Sequence, residues 1–274
     1  MSQVMSVTGA AVGDHLREWR LRRRMSQLDL ACDAEVSSRH LSFVETGRSQ
    51  PSRDMILRLA ERLEVPMRER NVLLVAGGFA PVFPERSLDA PELGAAKAAL
   101  DILLEGMKPY PAFAVDRHWN IVASNGALPQ LYDDIDPGLL TPPVNALRLS
   151  LHPRGLGPRI VNFAEWHAHV VDRLKRQIDL TADPGLIELL DEVKSYGRAL
   201  APPGRPRAAP PAAPQMVVPF RVSLAGEVAS FFTTTMVFGT PVEVTLSELA
   251  LESFFPADAA TVALVKRLSA LPAG

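Results

Sequence analysis

The polar side chains with the clearest chemical use lie in one short stretch, residues 26 to 47. Four of them, Gln27, Ser38, Arg39 and Ser42, occur in two short segments with helical patterns. The forked N–H donors of an arginine match the O6 and N7 acceptors of guanine, while serine and glutamine can bond base edges or bridge to neighbouring groups. These residue types suit contacts to the base edges of double-stranded DNA.

Residues around this stretch add further candidates. Those suited to phosphate oxygens are Ser37, Arg48, Ser49 and Arg53. Phe43 is predicted either to touch a thymine methyl group or to pack in the core. Five arginines also crowd residues 13–24 against only Asp14 and Glu18. Such a basic helix either contacts phosphate or presents a solvated face, and charge alone leaves both interpretations open.

Short helices must position these groups, and their ends are marked in the sequence. Ser26, with Asp29 three residues on, forms a capping box, and Gly47 suits a left-handed helix end. Further boundary signals are Ser37, Ser52, Pro66 and Gly77–Gly78. The helix that starts after Ser26 is predicted to bury Leu28, Leu30 and Ala31.

Five short helices in residues 13–80 predict a compact all-α domain. Two of them, joined by about four residues, fit a helix-turn-helix, in which the second helix enters the major groove and the first braces it. A generic helical hairpin is the alternative, and spacing alone leaves the two open.

The stretch MSQLDLACDAEVSSRHLSFVETGRSQPS resembles the lambda-repressor/Cro-like (XRE) helix-turn-helix family. Gln27 matches the glutamine that opens the second helix and braces the recognition helix, Ala31 matches a small packing residue, and Glu45-x-Gly47 matches the E-x-G ending. The resemblance covers roughly residues 13–75. It implies that Arg20 forms a structural ion pair with Glu45.

The second half of the chain mixes helical and extended patterns. Two short extended runs lie in residues 112–125, and a strong amphipathic helix follows Asn162, its predicted cap. β-Branched and aromatic residues from 216 to 249, broken at Ala225-Gly226 and Gly239–Pro241, predict three more strands. These features predict an α+β domain with an antiparallel five-stranded sheet, two strands early and three late.

Three stretches, AVDRHWNIVASN, LHPRGLGPRIVNFAEW and FGTPVEVTLSELALESFFPAD, resemble XRE regulators with an MmyB-like ligand-binding domain. The resemblance implies a PAS-like sensor domain, and binding of fatty-acyl-like ligands has been associated with such domains. It also bears on Glu35, which stands in the turn where the broader family has glycine. Either Glu35 accepts a left-handed backbone at a cost of about 1 kcal/mol, or the turn is built differently.

A PAS-like sheet with helices over one face can enclose a mostly apolar pocket. The residues predicted to line it are Phe113, Trp119, Leu128, Leu131, Trp166, Val170, Phe231, Phe232 and Phe238. Ordinary core packing is the alternative for each. Residues predicted to meet an anionic headgroup are His152, Arg154, Arg159 and His167, since arginine forks match carboxylates. The expected ligand is a fatty acid or a similar apolar small molecule, and no other cofactor is indicated.

The predicted organisation is multidomain. It comprises a flexible arm (1–12), a five-helix lambda-repressor-like DNA-binding domain (13–80), a linker and connecting helix (81–108), and an α+β PAS-like domain (109–272) with a Pro-rich loop (201–215).

The expected function is that of a cytoplasmic transcription regulator that binds DNA as a homodimer and responds to a small-molecule effector. A dimer would read two half-sites about 34 Å apart. The lone Cys32 fits a reducing compartment, and no apolar run predicts a membrane span. No catalytic or metal-ligand spacing is evident, so no enzyme activity is expected. Two alternatives stay open: a C-terminal domain that only dimerises or binds protein, and a redox or cofactor-binding sensor enzyme.

Overall fold

The computed structural model describes residues 11–127, 135–200 and 217–270. The Pro-rich segment 201–215 and residues 1–10 of the predicted arm lie outside the described residues. The chain divides into two compact units, of which the first comprises residues up to Arg86 together with Asp179–Thr181 and Pro241–Val244. The remaining residues form the second unit.

The first unit is built on five short helices, which confirms the predicted all-α domain. They are α1 (Val12–Arg22), α2 (Gln27–Asp33), α3 (Ser38–Glu45), α4 (Arg53–Arg62) and α5 (Met67–Ala76). The serine before each of α2, α3 and α4 accepts a backbone N–H from the residue three positions on, which satisfies one free donor of each helix. These serines are the predicted caps Ser26, Ser37 and Ser52.

A close approach of α1 to α3 shapes the core of this unit. A Cβ atom on Gly13 would overlap the carbonyl oxygen of Val44, so the crossing requires glycine. Leu30 and Ala31 are buried as predicted, but Leu28 is 62% exposed. The prediction for Leu28 was wrong because residues two positions apart on a helix do not share a face.

The turn between α2 and α3 contains a left-handed residue. Glu35 has a φ of 54°, so it accepts the left-handed backbone, which was the first of the two alternatives predicted for this turn. The N–H groups of Glu35 and Val36 bond back to carbonyl groups of α2, at 3.2 and 2.9 Å. These bonds give two carbonyl groups at the end of α2 a hydrogen-bond donor, and they offset the cost of about 1 kcal/mol for a left-handed L-residue. Gly47, with a φ of 71°, ends α3 in the same conformation, as predicted.

The second unit is an α+β domain around one five-stranded sheet, as predicted. Its strands are β1 (Ala112–Val115), β2 (Ile121–Ser124), β3 (Phe220–Leu224), β4 (Glu227–Val237) and β5 (Ala250–Pro256). They lie in the order β2-β1-β5-β4-β3, and each neighbouring pair is antiparallel. The α-helices that follow α5 in the chain are α6 (Gly94–Gly106), α7 (Ala146–Leu151), α8 (Phe163–Thr181), α9 (Pro184–Ala199), α10 (Val244–Ser247) and α11 (Ala259–Ser269).

Two local predictions for this part of the chain were wrong. The third late strand was expected between Gly239 and Leu249, but that stretch contains α10, and β5 starts only at Ala250. A short apolar run does not distinguish strand from helix by its periodicity. Asn162 precedes α8 without capping it, because its side-chain oxygen instead accepts the backbone N–H of Arg221 at 3.2 Å.

Each face of the sheet carries its own hydrophobic cluster. On one face, rings from four strands pack with centroids 5.6 to 6.3 Å apart: Phe113, Phe220, Phe231 and Phe254. Together with apolar residues of α7, α8 and α9 they form a cluster that we name the inner-face core. On the other face, leucines of α6 pack with residues of β1 and β5 in the outer-face core.

Candidate nucleic-acid interface and candidate ligand site

A buried ion pair joins α1 to α3. The guanidinium of Arg20 donates two hydrogen bonds to the carboxylate of Glu45, from Nε to Oε1 at 2.7 Å and from Nη2 to Oε2 at 2.8 Å. Gln27 of α2 donates a third, from Nε2 to Oε2 at 2.7 Å. The geometry confirms the ion pair that the family resemblance implied. It also gives Gln27 a bracing contact to the end of α3.

Electrostatics keep this carboxylate ionised. Burial by itself would raise the pKa of Glu45, but the hydrogen bonds from Arg20 and Gln27 hold it below its ordinary value of 4.5. The bond to Glu45 in turn raises the pKa of Arg20. The two side chains are only 8% and 1% exposed, so the pair positions α3 and is not accessible to DNA.

Helix α3 presents its polar candidates at the surface. Ser38 and Arg39 are exposed, while Ser42 and Phe43 are half-buried. The guanidinium carbon of Arg39 lies 5.4 Å from the centroid of the Phe43 ring. Among the described residues Arg39 forms no ion pair, so no carboxylate competes for its N–H donors.

The two ends of α3 hold most of the predicted phosphate contacts. After the helix, the carbonyl oxygen of Phe43 accepts the backbone N–H groups of Arg48 at 2.8 Å and Ser49 at 3.1 Å. Before it, the hydroxyl of Ser37 accepts a backbone N–H as the helix cap. Arg53 is exposed and begins α4. Ordered backbone thus supports each of these candidates.

Apart from the paired Arg20, the arginines of α1 and of the two residues after it divide into stacked and exposed groups. Arg22 and Arg23 lie over the ring of Trp19, with guanidinium carbons 5.7 and 5.3 Å from its centroid. Arg23 also donates from Nε to a carbonyl at the end of α4, at 2.8 Å. Arg17 and Arg24 are exposed. Phosphate contact therefore fits Arg17 and Arg24 better than the stacked pair.

The predicted apolar ligand residues fall on both faces of the sheet. Those in the inner-face core are Phe113, Trp119, Trp166, Val170 and Phe231. Phe232 stacks on a phenylalanine of β5 and Phe238 packs against the outer-face core. Adjacent strand residues point to opposite faces, which separates Phe232 from Phe231. Leu128 and Leu131 lie outside the described residues.

Each polar ligand candidate is engaged by a different neighbour. Arg154 pairs with Asp136, and Arg159 donates from Nε to a carbonyl of β3 at 3.1 Å. Nε2 of His167 lies 2.9 Å from a carbonyl of α9. His152 packs edge-on against a tyrosine of α9 at 4.8 Å, and burial followed by the charge of Arg154 lowers its pKa. None of these four contacts points to a shared headgroup site.

An ion pair that the sequence patterns did not single out lies on the inner face. Arg173 of α8 donates from Nη1 to Oε2 of Glu252 at 3.0 Å and from Nη2 to Oε1 at 2.5 Å. Its guanidinium carbon lies 4.5 Å from the ring centroid of Trp119, and Thr235 donates to Glu252 at 3.0 Å. The sequence did hold a signal for this pair. Glu252 lies two residues before Phe254, so the two share one face of a strand, and an acid buried on that face requires a cationic partner.

Comparison with known proteins agrees with both units. The family model of the MmyB-like transcription regulator ligand binding domain matches residues 96–268, and that of a helix-turn-helix domain matches residues 11–73. No curated protein matches this chain. Within residues 11–127, 135–200 and 217–270, no helix has the length and apolarity needed to cross a membrane.

The ligand-binding-domain match spans well over half of the 274 residues, and the helix-turn-helix match covers α1 to α4 and most of α5. The two matches follow one another along the chain in the same order as the helical unit and the α+β domain. The chain therefore belongs to the MmyB-like transcription regulators, in which a DNA-binding helix-turn-helix domain is combined with a ligand-binding domain.

Proposed function

We propose that this regulator reads a specific DNA sequence with α3 and senses an apolar, fatty-acyl-like ligand with its α+β domain, without enzymatic activity. The proposed reading of DNA rests on the exposure of Arg39, at the start of α3, and on its lack of a carboxylate partner among the described residues. Its guanidinium edge is therefore able to donate two parallel bonds to O6 and N7 of a guanine.

Other groups around α3 have supporting roles in this proposal. Ser38 and Ser42 contact base edges, and Gln27 bridges, since its amide nitrogen is bound to Glu45 while its oxygen stays an acceptor. Phosphate contacts come from Ser37, Arg48, Ser49 and Arg53. One such module touches few base pairs, so a cytoplasmic homodimer on two half-sites about 34 Å apart supplies the specificity.

Arg39→Ala is expected to weaken binding to a specific duplex by about 1–3 kcal/mol, because a bidentate contact to guanine is lost. Affinity for random duplex of the same length falls much less, since phosphate contacts remain. The specific duplex is obtained by selecting the wild-type protein's preferred sequence from a random library. Titration at one fixed salt concentration measures both affinities.

The matched control is Arg58→Ala, which removes an exposed arginine of α4 that has no assigned DNA contact. It is expected to change both affinities by less than Arg39→Ala changes the specific one. An equal loss on the specific and the random duplex for Arg39→Ala would remove Arg39 from base reading.

The apolar ligand is supported by the composition of the inner-face core. Two tryptophans and three phenylalanines from different elements are buried there, and two further phenylalanines pack against them. Molecules released by organic extraction of the purified chain are expected to include fatty acids, and palmitate is expected to raise the melting temperature. Butyrate, which shares the carboxylate but not the long chain, should have little effect. Absence of both extractable lipid and a palmitate shift would contradict the acyl ligand.

A second candidate role for the α+β domain is dimerisation or protein binding without a ligand. The observation that favours it is the surface of α6, where Ile102 is 72% and Leu103 41% exposed. Exposed apolar side chains next to each other on a helix suit a protein partner. Light scattering compares the oligomeric state of the double variant Ile102→Ser/Leu103→Ser with that of the wild type. An unchanged oligomeric state would show that α6 does not form such an interface.

A further inference from the structure

The recognition helix places an aromatic ring directly beside its principal arginine. Arg39 and Phe43 are four residues apart on α3, which makes them neighbours on the helix surface. Helical side chains lean toward the N-terminus, so the ring of Phe43 leans toward the turn that carries Arg39. The guanidinium carbon lies 5.4 Å from the ring centroid, within the range of a cation–π interaction.

We infer that Phe43 is a positioning residue for base readout, which acts by holding the Arg39 guanidinium in the orientation that meets guanine. This inference rests on the proposed DNA contact of Arg39. A ring contacts the flat face of a guanidinium, whereas guanine is bound through its N–H edge. The two interactions therefore coexist, and the ring restricts the side chain without using its donors.

Two other arginines of the helical unit differ from Arg39, because protein acceptors already bind their N–H edges. The N–H edge of Arg20 is occupied by Glu45, at 2.7 and 2.8 Å. That of Arg23 is occupied by a carbonyl at the end of α4, at 2.8 Å, although its guanidinium carbon also lies over a tryptophan ring. An arginine bound at its edge must break those bonds before it can read a base. The Arg39 guanidinium lies over the Phe43 ring and forms no hydrogen bond or ion pair within the described residues, so no such bond has to be broken.

The ring itself is well placed to be rigid. Phe43 is half-buried, and its carbonyl oxygen accepts the N–H groups of Arg48 and Ser49, which fix the backbone at this point of α3. Phenylalanine has two side-chain torsions and loses little entropy when it orders a neighbour, whereas a free arginine has many rotamers to lose on binding. Pre-ordering of Arg39 therefore favours the bound state.

The test compares Phe43→Leu with Phe43→Tyr in the full chain. Leucine keeps an apolar side chain but has no π face, and tyrosine keeps the face. Phe43→Leu is expected to weaken binding to the selected duplex about two- to five-fold, the range of an exposed cation–π contact. Phe43→Tyr should bind within about two-fold of wild type. Affinity for random duplex should be unchanged in both variants, and melting temperatures report whether each has folded.

A double-mutant cycle with Arg39→Ala decides between this role and a direct one. If Phe43 acts through Arg39, Phe43→Leu causes no further loss once Arg39 is alanine. If Phe43 contacts a thymine methyl itself, its full loss persists in that background, and the inference is overturned. Equal loss in Phe43→Leu and Phe43→Tyr would also overturn it. Failure of the underlying DNA contact would be distinct, because Arg39→Ala alone would then leave specific binding intact.

Discussion

Replacement of Glu45 by alanine is expected to lower the free energy of unfolding of the helical unit by about 3–5 kcal/mol. The change leaves the Arg20 guanidinium, which is 8% exposed, without a carboxylate, and it removes the acceptor of Gln27. An uncompensated buried charge costs far more than the pair itself contributes. Urea unfolding of the full chain, with hydrogen exchange of the amides of α1 and α3, measures the loss.

Two matched variants test the cause. Arg17→Ala removes an exposed arginine of the same helix and should change stability by less than about 0.5 kcal/mol. The double variant Arg20→Met/Glu45→Leu replaces both charges by apolar groups and should recover much of the stability lost in Glu45→Ala. A double variant no more stable than Glu45→Ala would mean that packing, and not the unpaired charge, causes the loss.

The same pair predicts a dependence on pH. Because folding depresses the pKa of Glu45, its contribution is fully present above the ordinary value of 4.5 and is lost as pH falls through the lower folded pKa. The difference in stability between wild type and Glu45→Ala should therefore narrow in acid. A difference that stays constant down to acid unfolding would contradict this assignment.

Arg173→Ala is expected to lower the stability of the α+β domain by about 3 kcal/mol, the low end of the range for a buried pair. The low end applies because Arg173 is 28% exposed, although its partner Glu252 is only 4% exposed. The variant leaves a carboxylate inside the inner-face core and also removes the contact with the Trp119 ring. Thermal unfolding measured by near-ultraviolet circular dichroism reports on this core.

Arg176→Ala is the matched control, since it removes an exposed arginine three residues further along α8. It should leave the melting temperature nearly unchanged. Arg173→Ala/Glu252→Gln keeps the shape of the acid but removes its charge, so it should be more stable than Arg173→Ala. Equal stabilities of the double and single variants would show that the charge of Glu252 is not the cause of the loss.

The Arg173–Glu252 pair also bears on the chemistry of the proposed ligand. A ligand carboxylate that bound Arg173 would have to displace Glu252 and leave it buried and unpaired, which is costly. This argument favours an apolar group against the inner face, with any acidic headgroup bound elsewhere. A ligand that enters this core must also bind a state with separated rings more tightly than the packed state.

Local signals in the sequence were sufficient to predict where most helices of the helical unit begin. The caps Ser26, Ser37 and Ser52 mark helix starts because a hydroxyl next to free N–H groups acts within three residues. The Arg20–Glu45 pair is separated by 25 residues, and only the family resemblance predicted it. The exposure of Leu28 was missed because the wrong residues were grouped on one helix face.

In the α+β domain the sequence by itself determined the α+β class, the antiparallel five-stranded sheet and the family. Only the tertiary structure decided that β5 starts at Ala250, that Phe232 and Phe238 lie away from the inner-face core, and that Arg173 meets Glu252. The physical reason is range. Caps, turns and helical stripes arise from neighbours within one or two turns, whereas strand register and the partner of a buried charge depend on residues far apart in the chain.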